Sequence, residues 1–385
     1  MLNFVFQNPA KIFFGKNQLI NLAPEIKKYS SKVLLVYGGG SIKKTGLYEE
    51  VAAAMQAGNI SFTELAGVQP NPRIDSVREG VRRCREEDIG LILAVGGGSV
   101  IDCAKAIAAG FFYEGDPWDF FTYSARVTKA LPVGAVLTLA ATGSEMNVNT
   151  VISNDQTQEK IGIGSKHLIP RFAILDPVYT FSVPAEQTAA GAADIMSHVF
   201  EQYFSANDGA YLLDRLGEAV LKTCIHFAPI AIKEPENYEA RANLMWAGTI
   251  ALNGLLSTGK ETDWATHGIE HELSARYDMT HGLGLAILTP RWMEYVLSDK
   301  TAGKMAEYAH NVWLVHDSDN FEAARRGIQL TREFFHQIGL KGSLKELGVT
   351  VESLPVMAEK AAAYPIGRFK QLNADDVLKI LQSAY

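Results

Sequence analysis

Cysteine is nearly absent from this chain: Cys84, Cys103 and Cys224 are the only three in 385 residues, and no Cys-x-x-Cys occurs. That scarcity excludes a disulfide framework and a thiolate metal cage together, and the three thiols read as small apolar core residues of a reducing compartment. Any metal bound here needs other ligands. Basic excess is missing too. Against 43 Asp and Glu stand 36 Lys and Arg, a net charge of -7, which speaks against a nucleic-acid surface or a basic membrane anchor. No apolar stretch approaches the roughly 20 residues of a spanning helix. The start, MLNFVFQNPAKIFFG, lacks a basic segment leading into an apolar one, so a cytoplasmic chain without a membrane partner is expected. Repeats and low-complexity linkers are also lacking. What is present is a chain 47% hydrophobic and 21% charged, long enough for two well-buried domains at about 100–200 residues each.

The first half alternates strand and helix signals. Residues 3–15 read as two short strands broken at Asn8-Pro9, and Lys32–Tyr37 (KVLLVY) is a strand that ends in Gly38-Gly39-Gly40-Ser41. Helix follows over Tyr48–Gln56 and strand over Ile60–Leu65; Ile74, Val77, Val81 and Cys84 then recur at helical spacing. The run Ile89–Val95 is a buried strand that leads straight into Gly96-Gly97-Gly98-Ser99 and a small-residue helix. Such alternation predicts an α/β domain with a mostly parallel, Rossmann-like sheet over residues 1–183. From about Pro184 the strand signals stop. Segments 212–222, 238–255, 301–314 and 321–339 have helical periodicity, and Asn373 is a good N-cap for a last helix, so residues 184–385 are expected to form an all-helical domain.

Both glycine turns suit a phosphate. Glycines after a buried strand let backbone N–H groups approach an anion, and the following helix points its positive end at the same place. The turn at 96–99 is the better pyrophosphate candidate, because strand, glycines and helix follow without a gap. The turn at 38–41 has no acidic residue to take a ribose 2′-hydroxyl, and Lys43-Lys44 follows, which favours NADP(H) over NAD(H). Two solvated lysines at a helix start are the plain alternative. Thr138, Thr142 and Ser144 in VLTLAATGSE (136–145) offer hydroxyls to a ribose or diphosphate, or else cap the next element. Lys160 is either aimed at a cofactor hydroxyl or an exposed lysine at a strand edge.

A second constellation opens the helical half. Asp194 and His198, four apart, share one helix face, where a carboxylate and an imidazole can close on one divalent cation. His267 and His281 are the candidate partners. Three neutral imidazoles and a carboxylate suit Zn²⁺ or Fe²⁺ with room for a further ligand. His271, one turn from His267, faces the same side, and Gly282 after His281 reads as a turn glycine that redirects the imidazole. The other histidines, His167, His226, His310, His316 and His336, have no such company. Trp118, Phe120, Phe121 and Trp264 are candidates for an apolar substrate pocket or plain core.

Segments from end to end then carry a resemblance: FGK at 14–16, YGGGSIKKTG at 37–46, AVGGGSVID at 94–102, ATGSE at 141–145, LDPVYT at 175–180, EPENY at 234–238 and DWATHGIEHEL at 263–273. The chain resembles the iron-containing, or group III, alcohol dehydrogenase family, nearest its bacterial NADPH-dependent aldehyde reductase and butanol dehydrogenase branch. The resemblance implies a nucleotide domain followed by a helical metal domain, as in dehydroquinate synthase, working as a homodimer. It makes Asp194, His198, His267 and His281 the metal ligands. Gly38, Gly39, Ser41, Asn71, Gly97, Gly98, Ser99, Asp102, Thr138, Thr142 and Lys160 become cofactor-binding residues, and His271 a candidate proton relay facing the substrate. The implied reaction is hydride transfer between nicotinamide C4 and the carbonyl carbon of a metal-bound short- to medium-chain aldehyde. Two other readings stay open: a dehydroquinate synthase-like lyase, which needs a basic cluster near the metal where only Lys260 and Arg276 stand, and a nucleotide sensor with a structural metal.

Overall fold

Leu91–Gly96 is buried at all six positions because it forms the inside of a sheet covered on both faces. The computed structural model describes residues 1–385 and contains eight strands: β1 (Lys11–Phe14), β2 (Lys32–Tyr37), β3 (Ser61–Leu65), β4 (Leu91–Gly96), β5 (Val133–Leu137), β6 (Asn149–Asn154), β7 (Glu159–Gly164) and β8 (Phe172–Leu175). Six of them make one parallel sheet in the order β1-β8-β5-β4-β2-β3, with Ala94 of β4 level with Val36 on one side and Ala135 on the other. β6 and β7 form a separate antiparallel hairpin in register Asn149 to Gly164. Apolar side chains fill both sheet faces. Leu34, Ile92 and Ala135 belong to one cluster and Val33, Leu93 and Val136 to the other, as strands with no solvent face require.

The helices of this unit follow the apolar spacing of the sequence. Ile74–Glu86 buries Ile74, Val77, Val81 and Cys84 and leaves its arginines outside. Gly98–Gly110 starts two residues after β4 ends and is almost wholly buried, which its run of alanines and glycines permits.

The chain divides into two units, Gln7–Val183 with Pro235–Thr249, and Met1–Phe6 with Pro184–Glu234 and Ile250–Tyr385. The second unit is helical: Ala185–Tyr203, Tyr211–Lys233, Ala265–Tyr277, His281–Val296, Ala302–Trp313, Asn320–Gln337, Leu354–Ala361 and Ala374–Ala384. The α/β unit with a parallel sheet is present as expected, and the unit expected to be all-helical is mostly helical. No helix is long and apolar enough to cross a membrane.

Several details depart from the sequence reading. A single cut at 183/184 misses the return of 235–249. That segment belongs with the sheet because Met245 joins its core, Trp246 packs edge-on against Phe14 at 5.8 Å, and Thr249 donates to the buried Glu145 carboxylate. Only one strand forms in 3–15. Pro9 has no N–H for a ladder, and Asn8 turns the chain by accepting from the Ala10 amide and donating to Met146 O. The helix expected at 212–222 runs on through Pro229 to Lys233, because buried Cys224, Ala228 and Ala231 hold its inner face.

Candidate metal and nucleotide sites

The helix Ala185–Tyr203 puts Asp194, His198 and Glu201 on one buried face of the helical unit. Asp194 Oδ1 lies 3.7 Å from His198 Nε2 and 3.7 Å from His281 Nε2. Two ligands about 2.1 Å from one tetrahedral ion stand roughly 3.4 Å apart, so both spacings are near those of a shared cation. Ligand atoms of Asp194, His267 and His281 all fall within 4.8 Å of one another. His198 stands outside that triple, its ring stacked on His267 at 4.9 Å.

The histidines are held differently. His267 Nδ1 meets Glu201 Oε1 at 2.9 Å, and its Nε2 is buried without a hydrogen-bond partner. His281 Nδ1 meets Glu270 Oε2, which leaves Nε2 toward Asp194. His198 has a buried Nδ1 with no hydrogen-bond partner. Burial, with the charges of His267 and His281 adding to it, holds His198 well below the ordinary imidazole range, so the ring stays neutral as a ligand must. A buried ring nitrogen left bare near a carboxylate, His267 Nε2, is what a divalent cation would satisfy, and with His198 Nε2 and His281 Nε2 each 3.7 Å from Asp194 the residues present fit one.

Two backbone features bring these groups together. Trp264 takes a left-handed conformation, φ 68°, uncommon for a bulky residue, directly before the helix Ala265–Tyr277 that carries His267 and His271. Gly282 is not a turn residue. It lies inside the helix His281–Val296, and a Cβ there would sit 2.0 Å from Ala190 O, so only glycine lets this helix approach Ala185–Tyr203 closely enough to present His281 to Asp194. Beside the site, burial and the charge of Glu201 push the Asp263 carboxyl up to about 7, against three backbone N–H donors from Arg368, Phe369 and Ala265.

His271 is one turn from His267, with its ring 5.7 Å from that of His281. Trp264 stands 5.2 Å from the His267 ring, whereas Trp118, Phe120 and Phe121 are buried in the core of the sheet unit. Glu201 and Glu270 escaped the sequence reading. Their signal was present, since each lies three residues after a ligand candidate on the same helix, His198 and His267 respectively.

In the sheet unit, Gly97, Gly98 and Ser99 sit where β4 passes into its helix, and Thr138 N donates to Gly96 O at 3.1 Å across the neighbouring strand end. A Cβ on Gly98 would meet Thr142 Oγ1 at 2.4 Å, so the two segments touch through the missing side chain. Thr142 accepts from the Ser144 amide. Gly38 and Gly39 precede the short helix Ser41–Lys44, and Asn71 is buried with φ 52°. Asp102 accepts from Ser144 Oγ and the Val151 amide, and burial pushes its carboxyl up. Lys160 is buried on β7 with Asp102 among its charged neighbours, so it is no exposed edge lysine. Lys43 and Lys44 are exposed in the short helix, as the plain reading has it, but Lys43 is not free: it lies 3.7 Å from Glu64 and over the rings of Tyr37 and Tyr48, while both tyrosine hydroxyls donate to Glu64.

The sheet unit thus carries glycine turns suited to a phosphate, and the helical unit a buried histidine–carboxylate cluster. Residues 9–177 match the family described as iron-containing alcohol dehydrogenase, and residues 188–385 match the Fe-containing alcohol dehydrogenase family, C-terminal. The chain belongs to the iron-containing alcohol dehydrogenase family. It is 52% identical to NADH-dependent butanol dehydrogenase A of Clostridium acetobutylicum over 100% of both chains. It is 40% identical to the NADPH-dependent aldehyde reductase YqhD of Escherichia coli, over 100% of this chain and 99% of the other. The crystal structure of NADH-dependent butanol dehydrogenase A from Thermotoga maritima superposes with a TM-score of 0.97 at 40% identity, covering 100% of this chain and 99% of that one. These relations make the chain an oxidoreductase of the alcohol dehydrogenase and aldehyde reductase type, and the family implies a divalent metal and a nicotinamide cofactor.

Proposed function

We propose that this protein is a metal-dependent aldehyde reductase, run in reverse as an alcohol dehydrogenase, that prefers NADP(H) and takes short- to medium-chain aldehydes. One observation carries the reading: Asp194, His267 and His281 converge in the helical unit, with His198 Nε2 3.7 Å from Asp194 and a bare, buried Nε2 on His267. Asp194, His198, His267 and His281 would hold Zn²⁺ or Fe²⁺. A cation held there supplies Lewis-acid polarisation of a carbonyl oxygen, and the nicotinamide supplies the hydride.

The chain's own residues do the rest. The amides of Gly97, Gly98 and Ser99, at the positive end of a thirteen-residue helix, bind the cofactor diphosphate, with Gly38, Gly39, Ser41, Asn71, Asp102, Thr138, Thr142 and Lys160 around the remaining cofactor groups. His271 moves a proton at a ring nitrogen on the substrate side of His267. The preference for NADP(H) is supported by the absence of any carboxylate from 38–46 and by Lys44, whereas Lys43 is drawn to Glu64. The names of the relatives divide between NADH and NADPH, so the cofactor ratio is the measurement of interest. Lys260 is unavailable to a substrate phosphate: it is buried and bonded to Asp214 Oδ1 at 2.6 Å, which counts against the lyase reading. The reading includes a cytoplasmic homodimer, for which sedimentation provides the test of assembly.

The decisive experiment compares initial rates with butanal and NADPH or NADH, after chelation and reloading with Zn²⁺ or Fe²⁺. We expect turnover to vanish on chelation, to return with one of the ions, and to be faster with NADPH. Turnover indifferent to chelation overturns the metal reading; a higher kcat/KM with NADH overturns the cofactor preference alone.

A further inference from the structure

We propose that Glu201 is the positioning residue that makes His267 a metal ligand, an inference that rests on the metal reading above and adds what sets that ligand's tautomer. Glu201 lies on the same helix as Asp194 and His198 and is 1% exposed. Its carboxylate receives four contacts. Oε2 accepts the Trp264 amide at 2.7 Å, and Oε1 accepts the His267 amide at 3.0 Å, the Thr266 hydroxyl, and the His267 ring at Nδ1, 2.9 Å away. A carboxylate already faced by two N–H groups and one O–H offers no proton of its own, so at the fourth contact the ring must donate.

That assignment fixes the rest. With its proton on Nδ1, His267 presents a bare lone pair at Nε2, which is buried and has no hydrogen-bond partner. Leaving a buried acceptor unmet is unfavourable, and a cation at Nε2 removes the penalty. The same carboxylate holds the residues on either side of the turn into the helix, through the Trp264 and His267 amides, so it fixes the place of the ring as well as its protonation. His198, one turn before Glu201 on the same helix, has no hydrogen-bond partner at Nδ1, and no comparable device sets its tautomer.

The test uses the full-length protein and Zn²⁺ alone. Chelator-treated wild type and Glu201→Gln are titrated with Zn²⁺ against a chromogenic competitor at one fixed pH. Glutamine preserves the shape, but its amide must turn a donor toward either the Trp264 amide or the His267 group. We expect Zn²⁺ affinity to fall about 10–100-fold. Affinity unchanged in folded Glu201→Gln overturns the role of Glu201 alone. Wild type that takes up no Zn²⁺ overturns the metal reading and this role with it. A second measurement needs no stable variant at position 201: imidazole ¹⁵N spectra of metal-free wild type, with His267→Ala identifying the resonances. Protonated Nδ1 and bare Nε2 are expected, and a ring protonated at Nε2 overturns the proposal.

Discussion

The glycine turn of the sheet unit and the histidine cluster of the helical unit are built from opposite materials. At Gly96–Ser99 the candidate ligand groups are backbone amides, and side chains matter by their absence; around Asp194 they are side chains, two of which, His267 and His281, are held by a further carboxylate. The first kind of site is carried by local chain geometry, whereas the second depends on residues from three helices bringing their ligand atoms within 4.8 Å of one another. Damage should therefore look different in the two.

His267→Ala is expected to give the largest effect. Losing the ligand that Glu201 presents should lower metal affinity by at least ~100-fold and abolish turnover, while cofactor binding to the sheet unit persists; equilibrium dialysis and NADPH fluorescence read the two separately. Gly282→Ala comes next and tests whether the side-chain site leans on backbone contact. The new Cβ meets a carbonyl oxygen that cannot rotate away, so a loss of about 1–3 kcal/mol in urea unfolding is expected, with weaker metal uptake. Gly98→Ala is the counterpart in the sheet unit. Its Cβ meets Thr142 at Oγ1, Cγ2 and Cβ, so the side chain must turn and the Thr142 segment give slightly, at the expense of the space above the turn. We expect NADPH affinity to fall about tenfold, some 1.4 kcal/mol, with little change in stability, and part of it to return in Gly98→Ala/Thr142→Ser.

A further effect, visible only as a pH slope, concerns a buried charge in the sheet unit. Lys105 is wholly buried and donates to Asn147 O, Asn147 Oδ1 and Asn149 O. Burial brings its ammonium down to about 8, against the opposing pull of Asp102 and Glu145. Between about 8 and the ordinary 10.5 the unfolded chain holds a proton that the folded one has released, so stability rises with pH across that window. The contribution is fully present above the unfolded value and is lost as pH falls through about 8. Lys105→Met should lack this slope, and urea midpoints of the two proteins at several pH values show it.

Much of the architecture was legible because it is written in short-range pattern. β4 and its glycine turn are contiguous, and the capping box at Asn373 marks its helix start by itself. Asp194 and His198 were readable as a pair because helical spacing is local. What the sequence did not disclose depends on partners distant along the chain. Glu201 finds His267 66 residues on, and Gly282 looks like a turn glycine until Ala190 O is seen against it. Lys43 reads as a free cation because Glu64, Tyr37 and Tyr48 come together only when β2 pairs with β3.

The return of residues 235–249 to the sheet unit fixes an order of assembly during synthesis. Residues 184–234, all belonging to the helical unit, leave the ribosome before the sheet unit has received its last helix. Until then the place of Met245 in the apolar core is open, and Glu145, whose carboxyl burial pushes up, has not met the Thr249 hydroxyl. The nascent sheet unit must therefore wait, incompletely covered, while part of its neighbour is made. Cutting the gene at codon 184 would leave that gap permanent.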